Sequence, residues 1–135
     1  MLETKKLELL TRYIEELIEE NLTQPIIVEG ETDKNALREL GLIGEILVLN
    51  AGIPLLAFVE VTAKTHKSVI LLLDWDRKGF SLTIQLSKLF VANDVSVNLT
   101  YWKRFKDIVS KDVKDVESLP TVIKRITEKT IKNCI

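Results

Sequence analysis

The chain has 135 residues, 46% hydrophobic and 29% charged, with 19 basic and 20 acidic side chains and a net charge of -1. That size and apolar content suit one compact domain with a real core, and no linker, repeat or low-complexity run offers a place to divide it. A lone Cys134 excludes an internal disulfide, and the apolar segments are short and broken by charge. Neither export nor membrane insertion is therefore expected, and the cytoplasm is the expected compartment.

Residues 4–21 place Leu7, Leu10, Ile14, Leu17 and Ile18 on one side at helical spacing, with Glu15, Glu16, Glu19 and Glu20 mostly elsewhere. This is an amphipathic helix whose apolar face suits either an extra layer on a sheet or the surface of a homodimer. Pro25 then precedes Ile26-Ile27-Val28, a β-branched run stopped by Glu29-Gly30, and Leu37, Leu40 and Leu42 around Gly41 predict a helix with a glycine end signal. Ile46 to Leu49 repeats the strand, closed by Asn50-Ala51-Gly52, and Pro54 suits the first turn of a helix carrying Leu55, Phe58, Val59 and Thr62.

Val69 to Leu73 is the most apolar strand, and Phe80 to Phe90, after Gly79, is helical in its spacing of Leu82, Leu86 and Leu89. Val95 to Leu99 alternates, which predicts a fourth strand nearer an edge. Tyr101 to Val109 reads as helix, Ser110 to Leu119 as a loop with Asp-rich turns, and Pro120 as the start of a last amphipathic helix. Strands separated by helices imply right-handed crossovers, so the expected class is α/β: a three-layer sandwich around a mainly parallel four-stranded sheet.

Charge is unevenly spread. Residues 1–33 carry three basic and nine acidic groups, about -6, whereas residues 101–135 carry nine basic and five acidic, about +4. The basic end suits contact with phosphates and equally suits a solvated helix face. His66, in a polar stretch, reads as a surface residue.

In open parallel sheets ligands bind beyond the carboxyl ends of the strands. Glu29 ends the first strand, Asn50 and Gly52 the second, and Asp74 with Asp76 the third, so three acids converge on one rim. Two aspartates one residue apart repel unless a cation lies between them, and hard oxygen donors of this kind suit Mg²⁺. Turn or N-cap aspartates are the structural alternative. Arg77 and Lys78 suit either neutralisation of phosphate charge or a solvent-facing helix start. Trp75 is read as packing rather than a base-stacking platform. Tyr101 and Trp102, beside Lys103 and Arg104, suit base stacking or closure of the sheet edge.

Ile27-Val28-Glu29-Gly30-Glu31-Thr32-Asp33 and Leu73-Asp74-Trp75-Asp76-Arg77-Lys78-Gly79 together resemble the two motifs of the Toprim domain. That is the catalytic module of type IA and II topoisomerases, bacterial-type primases, recombination mediators, OLD-type nucleases and nucleases that mature ribosomal RNA. The resemblance runs from about Ile26 to Leu99. It implies one Toprim-like domain over 1–135, with an N-terminal helix (1–22), the Toprim core (26–100) and a C-terminal extension (101–135). It further implies a Mg²⁺ site, with Mn²⁺ able to substitute, on Asp74 and Asp76. By the same resemblance Glu29 would be general acid or base, or a further metal ligand. Read from their charge and position, Gly30, Arg77, Lys78 and Lys111 are the expected contacts to phosphate.

Lys111-Asp112, with Asp115 following, fits the later Lys-Asp element of some members. Glu31 departs from the pattern by adding negative charge where phosphate would approach. No zinc ribbon, strand-passage domain or second polymerase subdomain is expected, which leaves a minimal standalone Toprim protein.

The leading expectation is a Mg²⁺-dependent module acting on RNA or DNA phosphodiesters, a small nuclease or RNA-processing factor. The alternative is a non-catalytic nucleic-acid-binding module in which the metal only organises phosphate contact. A third is a phosphatase resembling the haloacid dehalogenase group, with Asp74 as nucleophile and Asp76 as acid/base. Lys78, where that group has Thr or Val, and the late position of the motif in the chain count against it.

Overall fold

Short β-branched runs bounded by Pro25, Gly30 and polar turns pair side by side, and the amphipathic stretches between them cross over as helices. In a computed structural model, which describes residues 2–49 and 52–134, the order is α1 (Glu3–Asn21), β1 (Ile26–Val28), α2 (Glu31–Glu39), β2 (Ile46–Val48), α3 (Leu55–Ala63), β3 (Ser68–Leu71), α4 (Arg77–Ala92), β4 (Ser96–Asn98), α5 (Thr100–Val109) and α6 (Leu119–Cys134). The sheet order is β2-β1-β3-β4 and every pairing is parallel, with Ile26 opposite Ile46 and Ile70. β4 is an edge strand, as its alternation predicts.

Side chains alternate across a strand, and β1 shows it directly. Ile26 and Val28 join a core with Leu10 and Leu17 of α1, Leu37 of α2, Phe105 of α5 and Ile126 of α6, whereas Ile27 joins Val59 of α3 with Leu86 and Phe90 of α4. The result is three layers: α1, α2, α5 and α6 on one face, the sheet, and α3 with α4 on the other. Each fully buried Leu, Ile or Phe contributes roughly 1.5–3 kcal/mol. The apolar face of α1 is buried within the chain, with Leu10 and Leu17 inaccessible, so of its two readings the extra layer is the one realised. Among the described residues no helix is long and apolar enough to cross a membrane.

The structure differs from the sequence reading in four places. β3 ends at Leu71, although Leu72 still donates to the Ile27 carbonyl at 2.9 Å. α4 begins at Arg77, so Gly79 lies inside its first turn and not before it. The segment before α6 is not a loose solvent loop, because Val116 and Leu119 are buried in the core. His66 is half-buried, with Nε2 at 2.5 Å from Glu45 Oε1. The expected turn residue Asn50 lies outside the described residues. Gly41 ends α2 as predicted, at φ 102°, a left-handed conformation that glycine adopts without steric cost.

Candidate active site

β1 and β3 are neighbours, but the chain leaves them toward opposite faces, into α2 on one side and α4 on the other. This is the topological switch point of an open α/β sheet, where a crevice forms beyond the strand ends. Glu29 follows β1 and Asp74 lies shortly after β3, and the crevice joins them: the Asp74 amide donates to Glu29 Oε2 at 2.9 Å. The Glu29 side chain is only 14% exposed.

Asp74 Oδ1 accepts from the Val116 amide at 3.0 Å. The next amide, Glu117, donates to Asp33 Oδ1 at 3.1 Å, while Asp33 Oδ2 accepts from Gly30 at 3.1 Å. Two consecutive backbone N–H groups of the segment before α6 therefore hold the two aspartates. Trp75 anchors that segment, its amide donating to the Lys114 carbonyl at 2.9 Å and its indole to the Val113 carbonyl at 2.6 Å. Trp75 is thus buried packing, as predicted.

Burial pushes the Asp74 carboxyl up to about 8, against the pull of the Val116 amide. The hydrogen bond with Glu29 and the negative charges of Asp33 and Glu29 push the same way. Burial also raises Asp33, countered by the Gly30 and Glu117 amides. Of the two, the Asp74 carboxyl at about 8 holds a proton at neutral pH unless a cation replaces it.

Asp76 is in a different setting. It is exposed, and its Oδ1 caps α4 by accepting from Gly79 at 2.7 Å. Gly79 is buried because the first turn of α4 lies against the end of β3, where a Cβ would collide with the Asp74 carbonyl. The spacing Asp-x-Asp-x-x-Gly is therefore a packing requirement as well as a chemical one. Lys78 Nζ lies 4.0 Å from Glu29 Oε1 with its side chain 80% exposed, free to swing toward an anion. Arg77 is exposed beside it. Glu29 and Lys78 also line a cleft of about 360 Å³ whose walls are Leu49, Pro54, Leu55 and Leu82.

Not every expected contact gathers here. The Gly30 amide is taken by Asp33, so what remains for an anion at that turn is the rest of the first turn of α2, beside Glu31. Lys111 is exposed, and Asp112 pairs with Lys6 and Arg125, each at 3.6 Å, instead of joining the rim acids. Tyr101 and Trp102 are buried in the core on the face of the sheet that α1 and α6 also cover, with Ile70 and Leu72, so packing is their role, and burial with Glu20 pushes the Tyr101 phenol up to about 12. Sequence reasoning missed Asp33 as an organiser. Its spacing of three from the Gly30 helix start is the signal that would have found it.

Among the described residues no three His, Cys, Asp or Glu side chains gather closely enough to hold a metal ion by themselves. The donors at the rim are hard oxygens, Glu29 and Asp74 in contact and Asp76 at the start of α4. That set fits Mg²⁺, which takes one or two carboxylates plus substrate oxygens, better than a metal needing a full protein cage.

Residues 24–107 match the Toprim domain family. The chain is 40% identical over 94 residues to a UPF0292 protein of Thermococcus kodakarensis, covering 70% of this chain and 69% of that one. It is 36% identical over 112 residues to a UPF0292 protein of Thermoplasma volcanium, 83% and 92% of the two chains. A solved structure described as a putative protein from Aquifex aeolicus superposes with a TM-score of 0.70 at 24% identity, covering 82% of this chain and 97% of that one, a likeness of fold.

Proposed function

The chain belongs to the Toprim family, and from that premise we propose that it is a Mg²⁺-dependent module that cleaves nucleic-acid phosphodiesters, a small nuclease or RNA-processing factor working as one domain over its whole length. One observation carries the reading: Glu29 and Asp74, two shielded carboxylates, meet at the switch point of the sheet with Asp33 close behind. Such an acid pair stores a demand for positive charge that a divalent cation would relieve.

When bound, Mg²⁺ or a substituting Mn²⁺ supplies Lewis-acid stabilisation of charge on the phosphate oxygens. Asp74 and Asp76 would hold it. Glu29, within contact of Asp74 and open to the cleft, would move the proton, as general base toward the attacking oxygen or general acid toward the leaving one. Lys78 reaches the same space from the first turn of α4 and would balance the charge that builds on phosphate, with Arg77 as an outer contact. The Val116 amide keeps the Asp74 carboxylate oriented, and Gly79 keeps the start of α4 close enough for Asp76 to take part.

Incubation of the purified chain with RNA and DNA, with Mg²⁺ or with EDTA, tests this. Cleavage that needs the cation and is lost in Asp74→Asn supports it; cleavage by Asp74→Asn at the wild-type rate, or none by wild type, sinks it. A second reading, a binding module that uses the cation without turnover, draws support from Asp76, whose Oδ1 is engaged as a helix cap. Cation-dependent binding of an uncleaved strand would favour it.

A further inference from the structure

A groove of about 450 Å³ runs between α4 and α5, past the end of β4. Its floor and upper wall are aromatic. The Phe80 ring, 50% exposed, lies 5.8 Å from the buried Trp102 ring at 49°, and the Trp102 indole N–H points at the Asp74 carbonyl at 3.4 Å. Its sides carry Lys88 on α4 and Lys103 and Lys106 on α5. Lys106 Nζ sits 4.8 Å from the Trp102 ring centre. Among the described residues none of these three lysines is ion-paired with a carboxylate.

An apolar, aromatic floor between unpaired cations calls for an occupant that is flat, apolar on one surface and regularly anionic. A second copy of this chain is a poor fit, because a symmetric contact would set the lysines against each other. We propose that the groove docks a single strand of nucleic acid, with a base stacked on the open face of Phe80 and its flanking phosphates on Lys88, Lys103 and Lys106. A duplex hides its base faces and offers Phe80 nothing to stack on, so the groove selects unpaired strand. The proposal rests on the phosphodiester reading for the reason a strand should lie here, on a surface whose Trp102 hydrogen-bonds the backbone of Asp74.

Fluorescence anisotropy of a short labelled oligothymidylate and oligouridylate, in EDTA to exclude cleavage, reads the groove alone. Wild type should bind the single strand more tightly than a duplex of equal length. Phe80→Leu, which keeps apolar volume on an exposed site but removes the ring, should weaken binding roughly tenfold. Replacing Lys88, Lys103 and Lys106 together by Gln should lower the slope of log affinity on log salt by about 2. Equal binding of duplex, affinity untouched by Phe80→Leu together with an unchanged salt slope, or displacement by polyglutamate as effective as by unlabelled strand would each overturn the proposal. These results are separable from the cleavage test, since a chain that fails to cleave can still dock the strand, and one that cleaves can do so with the groove empty.

Discussion

The rim beyond β1 and β3 and the groove between α4 and α5 are linked through Trp102, whose indole reaches the Asp74 carbonyl, yet they handle charge in opposite ways. At the rim, Asp33, Asp74 and Asp76 each accept from backbone amides, and the carboxyls of Asp33 and Asp74 are shifted upward by burial. In the groove, three lysines on long flexible stems have no carboxylate partner among the described residues. Backbone amides fix a side chain in place, which suits a small ion or a proton transfer that needs preorganised geometry. Unpaired lysines adapt, which suits a polyanion whose phosphates have no single position. The contrast separates a place for chemistry from a place for holding.

The largest expected effect tests that separation. Glu29→Gln and Asp74→Asn should each lower the single-turnover cleavage rate by roughly 100-fold or more at saturating strand, the scale of losing a general acid or base. Phe80→Leu should leave that saturated rate near wild type. Rate losses of equal size from both regions would erase the distinction.

Next in size is Gly79→Ala. The added methyl has the Asp74 backbone in its way, and forced overpacking of this kind costs about 1–3 kcal/mol. Urea unfolding should show the loss as a lower midpoint at unchanged slope. A midpoint equal to wild type would mean that α4 does not press on the end of β3. Asp33→Asn should cost less, about 1 kcal/mol, because one of the two amide donors then faces an NH₂ group instead of an oxygen. Faster hydrogen exchange at the Gly30 and Glu117 amides would localise the damage, and unaltered exchange at both would deny Asp33 its part in tying α2 to the segment before α6.

The strands and the acid motifs were legible because their signals are local. Ile26-Ile27-Val28 ending at Glu29-Gly30, and Leu71-Leu72-Leu73 ending at Asp74, announce buried parallel strands and the chemistry at their ends within a few residues. The clamp on those acids was not legible. Val116 and Glu117 reach Asp74 and Asp33 from 42 and 84 residues away, through backbone N–H groups that every residue type carries, so no side-chain pattern marks them. The same limit applies to Tyr101 and Trp102. Lys103 and Arg104 beside them leave base stacking and closure of the sheet edge equally open in the sequence, but the strong amphipathy of α5 turns both rings into the core, and it is Phe80 of α4 that stays half exposed.

In the last effect the sign, and not the size, is informative. The folded-state pKa of Asp74, about 8, lies above its ordinary 3.8. Below about pH 4 both folded and unfolded chains hold the proton; between about 4 and 8 the unfolded chain gives it up and the folded chain keeps it. The folded state then binds more protons, so this group's contribution to stability falls as pH rises through that window and is flat above it. Asp33, also shifted upward, acts in the same direction. Asn at position 74 mimics the protonated acid, its oxygen accepting from Val116 and its NH₂ facing Glu29, and it has nothing to ionise. Thermal unfolding in EDTA should therefore find Asp74→Asn level with wild type near pH 4 and more stable than wild type near pH 8. A variant less stable than wild type at pH 8 would mean that Asp74 is already ionised and well held without a cation. More stable but inactive is the pairing expected of a residue kept for charge that folding alone does not want, and it would mark the rim, rather than the groove, as the place where this chain trades stability for chemistry.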